Sequence, residues 1–333
     1  MAVDVVRDSV GVLRVSWELA GTGPVELAVG PMPEEIDHDR PIARFDRARR
    51  VSLPGLGPGR HYISVAPVDG GSPVLAAERV MPLEGADNFR DLGGYRTGGG
   101  GRTRWGMVFR ADAPDRLSTA DLAVIDRLGL QAAYDLRSDG ERTKAPSVLP
   151  ASVRRETFAV GGDTPRATPL GELFHRGRVG PVPDNFLDGV YLDMVEREAS
   201  AFGRVLNGLA APDGVPAVIH CTAGKDRTGL AAALLLSVLG VSEATVLEDY
   251  MLSRSCFSER RMARLLPHLA ELGLDQGRYY EVFGAPRQAM ASTLDQLRGR
   301  YGTVENYLIT RADVTSETIE ALRARLVLPP ARS

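Results

Sequence analysis

The sequence predicts a mixed α/β fold over residues 82–333, with a central, mostly parallel sheet flanked by helices, preceded by a small all-β sandwich over residues 1–81. Three observations predict it. The apolar run Ala217-Val218-Ile219, with two β-branched residues, suits a buried parallel strand, and Leu230-Ala-Ala-Ala-Leu-Leu-Leu-Ser-Val-Leu239 is apolar almost all round, as a central packed helix is. Before Met81 the chain holds short strand-like runs parted by Gly, Pro and Asp turns. Beyond Met81-Pro-Leu-Glu-Gly85, helical periodicities alternate with short strands.

Length and composition narrow the field. A chain of 333 residues exceeds a typical single domain, so two are expected. A net charge of -3 gives no global attraction to nucleic acid or to an anionic membrane, so any anion binding is local. The two cysteines, Cys221 and Cys256, fit a reducing compartment. The first twenty residues lack the apolar core of a signal peptide, and no run reaches the ~18 apolar residues of a membrane span. A cytoplasmic protein without membrane insertion is the expectation, with export by a route that needs no cleaved signal left open. Histidines at 38, 61, 175, 220 and 268 form no ligand cluster, so neither a metal nor another cofactor is expected.

In chain order, runs at 12–17, 25–29, 43–45, 50–53, 62–65 and 74–75 read as the strands of the sandwich, with Trp17 in its core. Leu56-Gly-Pro-Gly-Arg-His-Tyr62 resembles the tyrosine corner of a fibronectin type III domain. Asn88-Phe-Arg-Asp-Leu-Gly-Gly-Tyr95 leads toward a hairpin turning at Gly98 to Gly101, followed by a strand at 107–110. That glycine run is no dinucleotide fingerprint, because no helical pattern follows it. Ser118 with Asp121 caps a helix carrying Leu122, Ile125 and Leu128, and Gly129 stops it. A strand at 131–135 ends in Leu136-Arg137-Ser138-Asp139, which puts Asp135 and Arg137 on the carboxyl rim of the sheet, where ligands gather in open α/β folds. Residues 161–183, rich in Gly, Pro and Arg, are too long for an ordinary connection and read as a lid, whose Arg166, His175, Arg176 and Arg178 suit an acidic substrate. Helices are expected from Phe186 through Met194, over 200–210, 242–252, 257–272 and 285–299, and from Thr315 with Ile319, Leu322 and Leu326 on one face. Cys256 has Arg254 as its one activating neighbour and is read as inert.

The chemistry gathers in Cys221-Thr-Ala-Gly-Lys-Asp-Arg227-Thr228, a turn between a strand and a helix. In such a turn successive amides point at one spot, and the positive end of the helix dipole favours an anion there. The same field favours the thiolate of Cys221, the nucleophilic form. Gly224 permits close backbone approach, the planar fork of Arg227 suits two oxygens of a phosphoryl group, and Thr228 has a hydroxyl to donate to the sulfur as it leaves. A lone cysteine is ordinarily a small buried hydrophobe. Here the glycine three residues on, the arginine six on and the threonine after it all fall between one strand and one helix, which favours the chemical reading.

His220-Cys-x5-Arg227-Thr228 resembles the active-site loop of the cysteine-dependent protein tyrosine phosphatases, and the full form His-Cys-Thr-Ala-Gly-Lys-Asp-Arg-Thr-Gly is similar to that of an atypical bacterial subgroup. The likeness extends to Asn88-Phe-Arg-Asp91, Phe109-Arg110, Asp135-Leu-Arg-Ser138, Asp249-Tyr250, Tyr301-Gly302 and Tyr307-Leu308, in the same order, and covers about 82 to 325. The amino-terminal sandwich departs from the family pattern, which leaves its partner open. The resemblance implies the cysteine-dependent phosphatase fold and a two-step reaction, in which Cys221 attacks phosphorus and water hydrolyses the phosphocysteine. It implies phosphate held by Thr222, Ala223, Gly224, Lys225, Asp226, Arg227 and Arg137, with His220 bonded to the thiolate surroundings rather than acting as base. The chain has no Trp-Pro-Asp loop, so the proton donor is left among Asp226 in the loop, Asp135 on the neighbouring strand and Asp184 beside the lid. The implied substrates are phosphotyrosine proteins, with phosphoserine, phosphothreonine or, through Lys225 at the pocket mouth, phosphoinositides as extensions. Three other readings stand beside it: a phosphoinositide-specific phosphatase; a phosphate-binding adaptor with vestigial catalysis, against which the intact Cys221, Arg227 and Thr228 argue; and another Cys-x5-Arg chemistry such as sulfur transfer or arsenate reduction, the latter having Cys256 as the sole further redox cysteine.

Overall fold

The computed structural model of the chain describes residues 2–330, apart from 9–10, 19–22, 58, 162–184, 257–261 and scattered positions between 264 and 283. The expected lid and much of the expected 257–272 helix lie outside the described residues.

The amino-terminal region forms β1 (Ala2–Arg7), β2 (Leu13–Glu18), β3 (Val25–Gly30), β4 (Ala43–Phe45), β5 (Arg50–Leu53), β6 (Tyr62–Pro67) and β7 (Val74–Ala77). They make two antiparallel sheets, ordered β1-β2-β5 and β4-β3-β6-β7. In β2 the side chains of Leu13, Val15 and Trp17 alternate with exposed ones, so a single face is apolar. That face meets Val25, Leu27, Ile63 and Val65 of the second sheet in one buried cluster, with the Trp17 and Phe45 rings 5.5 Å apart.

The remainder is mixed α/β: β8 (Arg90–Asp91), β9 (Arg102–Thr103), β10 (Val108–Ala111), α1 (Thr119–Arg127), β11 (Ala132–Asp135), α2 (Asp139–Lys144), β12 (Arg154–Thr157), α3 (Phe186–Arg197), α4 (Ala199–Ala210), β13 (Ala217–His220), α5 (Asp226–Val238), α6 (Glu243–Leu252), α7 (Arg287–Tyr301), α8 (Val304–Arg311), α9 (Ser316–Leu326) and β14 (Val327–Leu328). Its central sheet runs β12-β11-β13-β10-β8, parallel but for β8. β13 is flanked on both sides, Ile219 lying opposite Arg110 on one neighbour and Tyr134 on the other. Alternation divides the sheet's faces: Ala132, Tyr134, Ala217 and Ile219 join the cluster of the helices from α3 onward, while Ala133, Val218 and Phe109 pack with Ile125 and Leu128 at α1. α5 is buried on nearly every side, as its apolar sequence requires.

Local signals explain the boundaries. Ser118 and Asp121 form a reciprocal capping box at α1, and Thr97 donates to the Gly101 carbonyl to close the glycine turn. The sequence reading omits β1 and β14, and for two further elements the omission has a plain physical reason. β12 has no apolar residue, being an edge strand half open to solvent, and α2 buries no side chain and is set by a second capping box, Ser138 with Glu141. Among the described residues no helix is long and apolar enough to cross a membrane.

Candidate active site

Cys221 follows β13 and is buried at the sheet's carboxyl edge, with α5 beginning at Asp226. The loop between them takes its shape from its surroundings. Gly224 has φ +65°, and a Cβ there would lie 2.5 Å from the Ala111 carbonyl, so no other residue fits without displacing β10. The loop carbonyls are tied outward: that of Thr222 accepts from the Ala113 amide at 3.3 Å, that of Ala223 from Asn88 Nδ2 at 3.1 Å, and that of Gly224 from Asn88 Nδ2 at 3.0 Å and Arg110 Nη2 at 2.8 Å. The amides of Thr222, Ala223, Gly224 and Lys225 have no acceptor among the described residues. A peptide whose carbonyl points out points its N–H in, which makes the loop a nest for an anion.

The outward ties are anchored by a buried charge cluster. Asp249 on α6 accepts from Arg90 Nε at 3.2 Å, Arg110 Nη1 at 2.5 Å and the Tyr95 hydroxyl at 2.9 Å. Arg90 also donates to Asn88 Oδ1, to the Asp249 carbonyl at 2.8 Å and to Ser253 Oγ at 3.1 Å. Burial raises the Asp249 carboxyl, but Arg90 and Arg110 outweigh it and hold the group well below the ordinary carboxylate range. Asn88, Arg90, Arg110 and Asp249, read from sequence as part of a family likeness, thus form the network that ties the loop.

Arg227, in the first turn of α5, is buried with its fork engaged: Nη1 and Nη2 donate to Glu141 Oε2 and Oε1 at 2.6 and 2.7 Å. Thr222 Oγ1 donates to the same carboxylate at 2.5 Å, and Glu141 closes the α2 capping box. Burial pushes the Glu141 carboxyl up, but the bonds and charge of Arg227 and the Thr222 bond prevail and bring it to about 2. Glu141 is the site residue that sequence reasoning missed. Its signal, Ser138-x-x-Glu141 after a strand end, was present to be read.

Asp226 Oδ1 accepts from the Tyr191 hydroxyl at 2.5 Å and from Lys225 Nζ at 2.6 Å, and Tyr191 meets the Tyr250 hydroxyl at 2.7 Å. Burial, with Asp226 beside it, raises Tyr191 well above its ordinary value, so it stays a donor. Oδ2 of Asp226 has no partner among the described residues. The Thr228 hydroxyl is buried, with no partner among the described residues. Burial lowers His220 to about 4 despite Asp135, so the ring is neutral, and among the described residues its Nδ1 has no partner nearer than Asp135 Oδ1 at 3.8 Å.

Asp135 and Arg137 pair with each other. Asp135 takes Arg137 Nε at 2.9 Å and Nη2 at 2.7 Å, and the third nitrogen of Arg137 reaches the Ala145 carbonyl at 2.6 Å. Both line a cavity of about 220 Å³ with His220, Arg142 and Arg155, on the α1 face of the sheet, and no residue from Cys221 to Arg227 lines it. Burial raises the Asp135 carboxyl, but His220 and Arg137 prevail and lower it. Asp184 lies outside the described residues. Cys256 is half-buried, with burial pushing its thiol up. No group of three or more His, Cys, Asp or Glu among the described residues is placed to hold a metal ion.

A cysteine at the end of the central strand is followed by a loop with its carbonyls tied outward and by an arginine opening the next helix, an arrangement that suits an anion beside the cysteine. The chain belongs to the tyrosine phosphatase family, whose model matches residues 81–328. It is 31% identical over 238 residues to a protein of Cupriavidus necator named as a tyrosine-protein phosphatase, covering 68% of this chain and 82% of that one. It is 28% identical over 280 residues to the triple specificity protein phosphatase PtpB of Mycobacterium tuberculosis, covering 74% of this chain and 99% of the relative. A tyrosine-protein phosphatase of Nostoc commune is 27% identical over 223 residues, covering 63% and 71%. The chain is accordingly an enzyme of the phosphatase class.

Proposed function

We propose that the protein hydrolyses phosphotyrosine in proteins through a phosphocysteine at Cys221. The observation that carries this reading is the loop itself, with its carbonyls tied outward, its amides free and Arg227 beside the cysteine. In the first step the Cys221 thiolate attacks phosphorus while the amides of residues 222–227 and the Arg227 guanidinium hold the equatorial oxygens. Asp226 Oδ2 gives its proton to the leaving oxygen, with Oδ1 held by Tyr191 and Lys225. Water then attacks the phosphocysteine, the same carboxylate takes its proton, and the Thr228 hydroxyl donates to the departing sulfur. Neutral His220 supports the strand end and serves as no base. Asp135 and Arg137 neutralise each other behind the loop and neither acid nor phosphate role falls to them in this scheme. Phosphoserine, phosphothreonine and phosphoinositides are further candidate substrates, by analogy with a triple specificity relative and by Lys225 at the loop. The amino-terminal residues 1–81 are read as a fibronectin type III-like sandwich joined to a catalytic domain over 82–333.

The test is hydrolysis of p-nitrophenyl phosphate by the full chain without added metal, unaffected by chelator, with a phosphorylated Cys221 trapped at acid pH. Cys221→Ser is expected to abolish turnover. No turnover by the unaltered chain at any pH near neutrality overturns the reading. Phosphotyrosine peptide and phosphoinositide compared in one assay rank the substrates.

A further inference from the structure

Asp91 closes the Asn88-Phe-Arg-Asp91 segment and its side chain is wholly buried. Oδ1 accepts from the Gly93 amide at 2.7 Å, and Oδ2 from the Gly106 amide at 2.7 Å. A buried carboxylate calls for a cation as well, and among the described residues the one within ion-pair distance is Arg60, whose Nη2 lies 2.7 Å from Oδ2. Arg60 comes from the amino-terminal region, outside the family's span, which begins at residue 81.

Arg60 is held so that it has little other choice. Nη1 donates to the Tyr62 hydroxyl at 2.9 Å, Nη2 also reaches the Glu78 carbonyl at 3.1 Å, and the guanidinium lies 4.8, 5.5 and 5.6 Å from the ring centres of Tyr62, Trp105 and Phe109. Tyr62 belongs to β6, while Phe109 belongs to β10 beside the loop. Trp105 in turn donates its indole N–H to the Leu75 carbonyl of β7 at 3.1 Å.

We propose that Arg60 is a positioning residue for the Cys221 loop: by neutralising Asp91 it fixes the segment whose Asn88 ties the loop carbonyls outward and whose Arg90 holds the Asn88 side chain. The inference rests on the catalytic reading of that loop. Asp91 and Arg90 form β8, in register with Phe109 and Arg110 of β10. Arg90 and Arg110 share Asp249, and Asn88 and Arg110 share the Gly224 carbonyl. Every link from Arg60 to Gly224 is a hydrogen bond or a step along one short strand. With Asp91 unpaired, β8 gains a reason to shift toward water, Asn88 goes with it, and the loop amides lose their common aim. In this reading the amino-terminal sheets complete the catalytic scaffold, whatever else they bind.

The test uses the full chain with Cys256→Ser, which leaves Cys221 as the remaining thiol. Two probes report the loop without requiring turnover: the alkylation rate of Cys221 by iodoacetamide at one mildly acidic pH, and the affinity for orthovanadate from protection against that alkylation. Arg60→Ala is expected to slow alkylation and weaken vanadate binding by about tenfold or more, the scale of effect that a small misplacement produces. Arg60→Lys is expected to recover part of both. Arg60→Ala with Asp91→Asn is expected to be no worse than Asp91→Asn alone, because the effect runs through Asp91. Should Arg60→Ala fail to fold, Arg60→Lys and Asp91→Asn carry the comparison. A folded Arg60 variant with unchanged alkylation and vanadate affinity overturns the proposal and leaves Arg60 as a tether between two sheets. If the unaltered chain binds vanadate yet hydrolyses no phosphoester, the function proposed above fails while this inference is still decided by the two probes.

Discussion

Glu141 and Arg227 form a two-point ion pair, the carboxylate oxygens taking the terminal guanidinium nitrogens at 2.6 and 2.7 Å. The pair fixes the guanidinium plane in advance of any ligand, and it leaves Nε without a partner among the described residues. The fork that the sequence suggests for two phosphate oxygens is thus engaged by a carboxylate, and each terminal nitrogen also reaches a second acceptor, Nη1 the Leu136 carbonyl at 3.3 Å and Nη2 Thr222 Oγ1 at 3.4 Å.

The first prediction follows from that pair. Glu141→Gln removes the charge that orients Arg227 while keeping the α2 cap, so kcat for p-nitrophenyl phosphate is expected to fall about 10- to 100-fold, the scale of a misplaced catalytic group. KM should move less, because the loop amides remain. Arg227→Ala sets the upper bound, with a loss of about 10²- to 10³-fold expected for removal of one charge-stabilising donor. An unchanged kcat in Glu141→Gln would remove Glu141 from the site.

The second prediction separates the acids. Asp226→Asn should cost little with p-nitrophenyl phosphate, whose leaving group needs no proton, and about 10²- to 10⁴-fold with phenyl phosphate or phosphotyrosine, the usual range for a general acid. Tyr191→Phe, which removes one bond to Oδ1, should fall between. Asp135→Asn should leave the dependence on leaving group unchanged and lower the melting temperature, because Arg137 is then buried without its partner. The slope of log kcat against leaving-group pKa, measured for the three variants, decides the assignment.

The third concerns pH. Burial depresses His220 from 6.5 to about 4, so the unfolded chain binds this proton first, and stability supplied by the neutral ring is present above 6.5 and lost as pH falls toward 4. Glu141, depressed from 4.5 to about 2, contributes stability that is present above 4.5 and lost as pH falls toward 2. Urea unfolding at stepped pH should show the upper window flatten in His220→Gln and the lower one flatten in Glu141→Gln. Curves that stay parallel to the unaltered chain through both windows would contradict both assignments.

Some of this architecture was legible in the chain and some was not, for physical reasons. Ala217-Val-Ile and the apolar helix after Gly229 declared a buried strand and a central helix because burial on all sides leaves no polar face. Leu13, Val15 and Trp17 declared a one-sided strand by alternation. The edge strand β12 and helix α2 left no such mark, because neither buries an apolar side chain. Arg90, Arg110 and Asp249 sit far apart in sequence, and their charges are tolerable inside only because they meet, a fact that no local pattern encodes. Arg137 stands on the rim with Asp135, two residues earlier on the same strand end, as its ion-pair partner, a pairing that the rim position alone does not declare.

The last prediction tests whether the loop's shape, rather than its charges alone, makes the anion site. Gly224 and Gly129 both have positive φ, +65° and +62°, so an alanine at either carries the left-handed penalty, about 1–2 kcal/mol. They differ in surroundings: a Cβ at Gly129 meets nothing within 4 Å, whereas one at Gly224 would lie 2.5 Å from the Ala111 carbonyl and 2.6 Å from the Asp112 amide. Gly129→Ala should therefore lower the melting temperature and leave kcat/KM as it was. Gly224→Ala must also push the loop away from β10, breaking the aim of the amides and the reach of Asn88 and Arg110 to the Gly224 carbonyl. With a shift of about 1 Å, a loss of about 10²-fold in kcat/KM is expected. Orthovanadate affinity should fall with it. Equal activity in the two variants would mean that the loop tolerates displacement, and that the outward-tied carbonyls are not what holds its amides on the phosphate.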